Sequence, residues 1–66
     1  MDIESLSPGD ILVNKEYDEV YLILSIDIKQ QKLVGRVITN GYFNGLVTNM
    51  WWFWLENRCH KLGDCI

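Results

Sequence analysis

Residues 20–28 alternate between two sets of side chains, which is the period expected for a β-strand whose two faces differ. One face carries only apolar residues, namely Val20, Leu22, Leu24, Ile26 and Ile28. The other face carries Tyr21, Ile23, Ser25 and Asp27. Because the first set is uniformly apolar, we expect it to face the core.

The segment before this strand predicts a turn followed by a shorter strand. In Ser7-Pro8-Gly9-Asp10, proline presets φ at the first corner of a turn and glycine supplies the positive φ of the second. Residues 11–13 then predict a short strand. A polar, mostly acidic loop around Tyr17 follows at residues 14–19.

The segments after the long strand predict a hairpin and a final short strand. A loop at residues 29–32 leads into a strand at residues 33–39, which is rich in β-branched residues. Gly35 within it indicates a bulge or a sharp bend. A tight turn at residues 56–58 precedes a last strand at residues 59–62, which Gly63 ends.

Two asparagine–glycine pairs predict turns in the middle of the chain. Asn40-Gly41 and Asn44-Gly45 are both strong turn signals, because asparagine and glycine tolerate positive φ. They flank Tyr42 and Phe43. We therefore expect these two aromatic residues at a loop tip or in a very short strand.

Residues 46–55 form the most apolar segment and hold all three tryptophans of the chain. Aromatic residues favour strands. Six apolar residues also fit the i, i+3, i+4 spacing of a helix, namely Leu46, Val47, Met50, Trp51, Trp54 and Leu55. Trp52 and Phe53 fall outside that stripe, so the pattern favours a strand while a single helical turn near the C-terminus stays open.

A regular strand through this segment divides its aromatic residues between two faces. Glu56 is expected to face solvent, because an unpaired buried carboxylate is costly. Alternation then directs Met50, Trp52 and Trp54 outward, and Trp51, Phe53 and Leu55 inward. We expect a protein-binding platform of Trp52 and Trp54, flanked by Tyr42 and Phe43. The alternative is that these rings pack on the loop at residues 40–45 or across a homodimer seam.

The composition is that of a small acidic globular chain with an uneven charge distribution. The chain has 66 residues and a net charge of −3. Residues 1–27 carry seven acids and one base, whereas residues 28–66 carry two acids and five bases. A dipolar surface can steer a partner, and we assign the acidic loop with Tyr17 to the rim of the binding surface. The acidic total argues against tight nonspecific nucleic-acid binding.

Residues 6–13, which read Leu-Ser-Pro-Gly-Asp-Ile-Leu-Val, precede the long strand and then Gly35-Arg36-Val37. Together they resemble the SH3-like small barrels over most of the chain. The opening is common in KOW-type barrels and in MazF/PemK-like toxins. The resemblance implies one all-β SH3-like domain over residues 1–66, with about five short antiparallel strands. The toxin resemblance alone would imply a ribonuclease, with Arg36 beside Thr39 or Thr48.

Residue types suited to metal binding or catalysis are sparse. Cys59, His60 and Cys65 are metal-ligand types, but a structural zinc site normally needs four ligands. Adjacent strand residues also point to opposite faces. The single histidine has no nucleophile paired with it by sequence. We therefore expect no metal, no cofactor, no catalytic residue and no enzyme activity.

The start of the chain lacks the basic-then-apolar layout of a signal peptide. No apolar stretch approaches the roughly 20 residues needed to span a bilayer. We therefore expect a soluble cytoplasmic protein without membrane contact, whose Cys59 and Cys65 are free thiols.

These observations favour a non-enzymatic module that binds a protein partner through an aromatic surface. Chains of this size often act as adaptors or inhibitors, and small phage or bacterial accessory proteins that blunt a host enzyme are among them. The alternatives are nucleotide or single-stranded nucleic-acid binding, and a MazF-like ribonuclease. Homodimerisation is compatible with all three.

Overall fold

The chain folds into one five-stranded antiparallel sheet, seen in a computed structural model that describes residues 3–39 and 41–62. A short 3-10 helix at Ile3–Ser5 comes first. The strands are β1 (Ile11–Asn14), β2 (Glu19–Asp27), β3 (Lys32–Val37), β4 (Val47–Trp51) and β5 (Cys59–Lys61). One helical turn, α1 (Trp52–Leu55), lies between β4 and β5.

The strand order across the sheet is β4-β3-β2-β1-β5. The first four strands form a meander, and β5 returns to pair with β1. The predicted all-β fold of five short antiparallel strands is therefore confirmed. Closure of this sheet into an SH3-like barrel stays a prediction.

The turn before β1 forms as predicted. Gly9 has φ of +98°, and the Asp10 N–H donates to the Ser7 carbonyl at 3.0 Å. The Asp10 carboxylate also accepts the Ser7 N–H at 2.8 Å. These contacts fix the direction in which the chain enters β1.

The core face of β2 is the opposite of the one that the alternation predicts. Tyr21 and Ile23 are buried, and Ile23 is only 1% exposed. Leu24 and Ile28, which were expected in the core, are 42% and 41% exposed. The prediction was wrong because a small domain leaves much apolar surface outside, so the more uniformly apolar face is not always the buried one.

A bulge in β2 explains how both faces of this strand carry apolar residues. β2 pairs regularly with β3 up to Ile23 opposite Gly35, and pairing resumes one residue later after Leu24 is skipped. The extra residue shifts the alternation, so Ile26 packs against the core. Gly35 in β3 predicted a bulge, and the bulge lies in the neighbouring strand β2, next to the pair formed by Ile23 and Gly35.

Gly35 leaves room for the Met50 side chain in the core. A Cβ atom built on Gly35 would lie 2.5 Å from the Cε atom of Met50, a separation that real Cβ atoms do not show. The missing side chain leaves that volume to Met50, which is buried.

Tyr21 can be buried because its hydroxyl keeps two hydrogen-bond partners. The Asn14 side-chain amide donates to it at 3.2 Å, and it donates to the Glu19 carboxylate at 2.8 Å. Asn14 is fully buried, and its Oδ1 accepts the backbone N–H groups of Glu16 and Tyr17. This network ties the loop at residues 15–18 to β1 and β2.

Residues 46–55 combine the two structures that the sequence left open. The segment is a strand up to Trp51 and a helical turn from Trp52. The Trp52 N–H donates to the Gln31 carbonyl at 2.8 Å, which extends the pairing of β4 with β3 by one residue. The predicted turn at residues 56–58 follows, and the predicted last strand is β5.

The change from strand to helix reverses most of the predicted orientations in the aromatic segment. Met50 and Trp52, expected outside, are buried, and Trp52 is 5% exposed. Trp51 and Phe53, expected inside, are exposed. The prediction counted the alternation of a strand backward from Glu56. Residues 52–55 form a helical turn instead, so that count does not give the faces of β4. Leu55 is buried as predicted.

The buried side chains form one cluster on the core face of the sheet. It contains Ile3, Leu6, Leu12, Tyr21, Ile23, Leu33, Val37, Met50, Trp52, Leu55 and Cys59. The 3-10 helix and α1 both contribute to it, so the helical segments cover core that the sheet leaves open. Three residues of the predictions, Asn40, Gly63 and Cys65, lie outside the described residues.

The orientation of β2 can be tested with two adjacent residues of equal size. Ile23→Ala removes a buried side chain and should lower the free energy of unfolding by about 2–5 kcal/mol. Leu24→Ala should lower it by less than about 1 kcal/mol, because Leu24 is largely exposed. Urea denaturation followed by circular dichroism measures both values.

If Ile23→Ala does not fold, Ile23→Val should still fold and cost about 0.5–1.5 kcal/mol. A cost for Leu24→Ala that equals or exceeds the cost at Ile23 would contradict the assigned face.

Candidate functional site

A half-open apolar pocket of about 420 Å³ lies between the core side of the sheet and the segments that flank β4. Its lining residues are Glu19, Tyr21, Val37, Phe43, Leu46, Thr48, Asn49, Met50, Trp51, Phe53 and Trp54. Its volume is in the range of sites that bind small molecules or single bulky side chains.

Three exposed apolar side chains, Phe43, Leu46 and Phe53, form what we call the pocket mouth. Phe53 is 70% exposed, although it belongs to the most apolar segment of the chain. Tyr21 and Val37 are buried residues that contribute to the floor. The pocket therefore offers apolar contacts both at its entrance and at its base.

The loop at residues 41–46 holds one side of the pocket mouth in place. The Gly45 N–H donates to the Val37 carbonyl at 2.7 Å, and the Val37 N–H donates to the Leu46 carbonyl at 2.8 Å. Gly45 has φ of +89°, a backbone conformation that glycine adopts more readily than other residues. The Leu46 N–H donates to the Phe43 carbonyl at 3.0 Å, which closes the turn. Phe43 and Leu46 are thus anchored to β3.

Glu19 is the charged residue among those that line the pocket. Its carboxylate accepts the hydrogen bond of the Tyr21 hydroxyl, so its position at the pocket is fixed by a buried group. The adjoining loop adds Glu16 and Asp18, which are exposed. This side of the pocket therefore combines apolar surface with negative charge.

Trp54 forms the wall of the pocket nearest the acidic loop. The ring of Tyr17 stacks on it, with centroids 6.3 Å apart and planes inclined by 14°. The Arg58 guanidinium lies over the same indole at 4.9 Å and donates to the Trp54 carbonyl at 2.8 Å. Arg58 also pairs with Glu16 at 3.1 Å. Trp54 is therefore held by its neighbours and is half-buried.

The structure separates the predicted binding residues. Trp52 is a core residue, so its role as an exposed anchor was wrong. Trp54 and Phe43 do line the pocket, and Tyr17 reaches it only by stacking on Trp54. Tyr42 is 94% exposed at the loop tip and packs edge-to-face on Phe43.

Sequence reasoning missed Phe53 and Leu46, which complete the pocket mouth. The available signal was the helical spacing of residues 46–55. In a helix Phe53 lies off the apolar stripe, and the structure exposes it. Applying the helical alternative to residues 52–55 alone would have found it.

The outer face of β3 and β4 carries a second aromatic feature. The Lys32 ammonium lies 5.7 Å from the centroid of the Trp51 ring. Arg36 is exposed four residue pairs further along, opposite Val47. This face is basic, in contrast to the acidic side of the pocket.

The residues that a MazF-like site would use have structural roles here. The Thr39 hydroxyl oxygen accepts the Val20 N–H at 2.6 Å, which continues the contact between β2 and the end of β3. The Thr48 hydroxyl donates to the Asn49 carbonyl at 3.3 Å. Thr48 pairs with Gly35 of β3, and Arg36 is the next residue of that strand.

Within the described residues, no three His, Cys, Asp or Glu side chains lie close enough to hold a metal ion. Cys59 is a buried free thiol. Burial raises the pKa of the Cys59 thiol to about 11, an effect that the nearby Arg58 partly offsets. A thiol with this pKa is a poor nucleophile at neutral pH.

Comparison with protein-family models, with curated proteins and with solved structures finds no match to this chain. None of the helices in residues 3–39 and 41–62 is both long enough and apolar enough to cross a membrane.

Stability should fall in alkaline solution because two buried groups resist ionisation. Burial raises the pKa of Cys59 from 9.0 to about 11, and that of Tyr21 from 10.0 to about 12. Below pH 9 both groups are protonated in the folded and unfolded chains, so they add no pH dependence. Above pH 9 the unfolded chain loses these protons first, which favours unfolding.

We expect the free energy of unfolding to decline from about pH 9 upward in a Cys65→Ser background. Adding Cys59→Ala should move the start of the decline to about pH 10, where Tyr21 begins to ionise in the unfolded chain. Urea titrations at each pH measure this. A decline that starts at the same pH in both variants would contradict the role of Cys59.

Proposed function

We propose that this chain is a non-enzymatic SH3-like module that binds a protein partner through the pocket. An apolar side chain of the partner enters between Phe43, Leu46 and Phe53, and a neighbouring Lys or Arg of the partner faces Glu19. In this role the chain is an adaptor to, or an inhibitor of, a host enzyme in the cytoplasm.

The observation that carries the proposal is the exposure of Phe53 and Phe43 around an apolar pocket. A domain of this size has few apolar residues to spare for its core. Aromatic side chains at the edge of a concave surface are typical of interface hot spots, because they bury a large area at small entropic cost.

The charge distribution supports a partner with a basic residue next to the apolar one. Glu19 lies at the pocket, and the exposed Asp18 next to it in sequence adds negative charge, whereas the charge of Glu16 is paired with Arg58. Complementary charge raises the association rate and selects among apolar partners. It does not replace the apolar contact as the main source of affinity.

The strand layout supports the SH3-like part of the proposal. A meander of four strands is followed by a short helical turn, and the last strand returns to pair with the first. A short turn before a final strand is part of the SH3-like layout. The Pro8-Gly9 turn leads directly into β1, as the resemblance implies.

The pocket can be tested with a random-peptide display library selected on the immobilised chain. Enriched peptides should carry a bulky apolar residue next to Lys or Arg. Phe53→Ala should weaken their binding about tenfold or more, as expected for a hot-spot residue. Leu24→Ala is the matched control, because it shortens an exposed apolar side chain outside the pocket and should leave binding unchanged.

Glu19→Gln separates the charge contribution from the apolar one. Peptides with Lys or Arg should bind this variant several-fold more weakly at low salt, and the difference should shrink as the salt concentration rises. Selection of no common peptide class would reject the proposal, and so would equal binding to wild type and Phe53→Ala.

Single-stranded nucleic-acid binding is the second candidate, and the pairing of Lys32 with Trp51 is the observation that favours it. Its site is the outer face of β3 and β4, which shares Trp51 with the pocket. Fluorescence anisotropy with labelled oligonucleotides tests it directly. Binding that falls steeply with salt and is lost in Trp51→Ala would favour this function.

A further inference from the structure

The outer edge of β4 is an open strand edge without the usual protection. In the described part of the chain, β4 pairs with β3 on one side and with no strand on the other. Proteins protect such edges with charged residues, proline, bulges or very short strands. Residues 46–55 contain no charged residue and no proline, and β4 pairs with β3 without a bulge.

The backbone groups of β4 show which residues face this edge. The Leu46 carbonyl and the Trp52 N–H both bond toward β3. In an antiparallel pair the residues that bond to the partner alternate with those that point away. Val47 and Asn49 therefore direct their N–H and carbonyl groups to the open side, as Trp51 directs its N–H group, and the side chains of all three are exposed. The Trp51 carbonyl belongs instead to the first turn of α1.

The opposite edge of the sheet, formed by β5, has the protection that β4 lacks. β5 has three residues, and one of them is Lys61. Lys61 pairs with Asp10 at 3.6 Å, so a charge is held at that edge. β5 is therefore protected by its length and its charge, and β4 is the edge at which a strand can be added.

We propose that β4 pairs with β4 of a second copy of this chain. The two strands run antiparallel about a two-fold axis at Asn49, which gives a continuous sheet of ten strands. In this register each Val47 lies opposite Trp51 of the other copy, and Asn49 lies opposite itself. A β-branched residue opposite an aromatic one is a favourable cross-strand pair.

The absence of charge on β4 favours a second copy over a partner of different chemistry. Self-pairing brings no like charges together on this strand. Lys32 and Arg36 of opposite copies would be separated by three strand spacings, roughly 14 Å. That exceeds the screening length of about 8 Å at physiological salt, so their repulsion is weak. A closed dimer leaves only the two protected β5 edges exposed.

The pairing surface is short, so the dimer should be weak and reversible, with a dissociation constant on the order of micromolar. Sedimentation equilibrium from about 1 μM to several hundred micromolar covers the required range. Wild type should change from monomer to dimer across it. Val47→Lys and Trp51→Glu should each be monomeric, because each places an unpaired charge in the seam.

Mixing the two variants tests the register. Lys at position 47 of one copy then faces Glu at position 51 of the other, and the second Val47–Trp51 pair is unchanged. The mixture should recover dimer, and Leu24→Lys, which adds the same charge away from β4, should dimerise like wild type. A monomeric wild type would overturn the proposal. So would dimerisation of Val47→Lys like wild type, or a mixture that stays monomeric.

The seam shares Asn49 and Trp51 with the lining of the pocket, so variants outside these two residues distinguish the two proposals. Phe53→Ala should still dimerise while losing the selected peptides. Val47→Lys should bind those peptides while remaining monomeric. Circular dichroism of each variant verifies that it is folded.

Discussion

The break between strand and helix at Trp51 and Trp52 is the constraint on which the rest of the structure depends. The Trp52 N–H makes the last contact with the β3 hairpin, at the Gln31 carbonyl, and the chain then turns into α1. The register of β4 buries Met50 and Trp52 and exposes Trp51, and the turn into α1 then buries Leu55. A continuous strand would instead bury Trp54 and expose Leu55.

The exposed aromatic residues follow from the alternation that buries Met50 and Trp52. Once Trp52 fills the core, Phe53 has no place in it and faces outward beside Phe43 and Leu46. Trp51 stays on the outer face of the strand, at the open edge. One apolar segment thus contributes to the core, to the pocket and to the open edge of the sheet, and each has a different chemical environment. This division lets a chain of 66 residues combine a folded core with exposed apolar surface.

The sequence predicts the order and number of strands well, because turns and apolar runs are local signals. The Pro8-Gly9 turn and the loop at Tyr42 and Phe43 were predicted from conformational preferences of single residues. The face of β2 could not be predicted, because both faces of this strand carry apolar residues and the register shift at Leu24 is set by pairing with β3. The pocket likewise depends on tertiary contacts, so only Phe43 and Trp54 of its aromatic lining were predicted as binding residues.

The most direct test of the break at Trp52 is ¹⁹F NMR of the chain labelled with 5-fluorotryptophan, with a soluble paramagnetic relaxation agent added. The Val47→Lys variant is the right sample, because no pairing at β4 can then shield Trp51. Single Trp→Phe substitutions assign the three signals. We predict that Trp52 is relaxed least, Trp51 most and the half-buried Trp54 to an intermediate degree. Protection of Trp54 equal to that of Trp52 would show a continuous strand and contradict the break, and strong relaxation of Trp52 would contradict its place in the core.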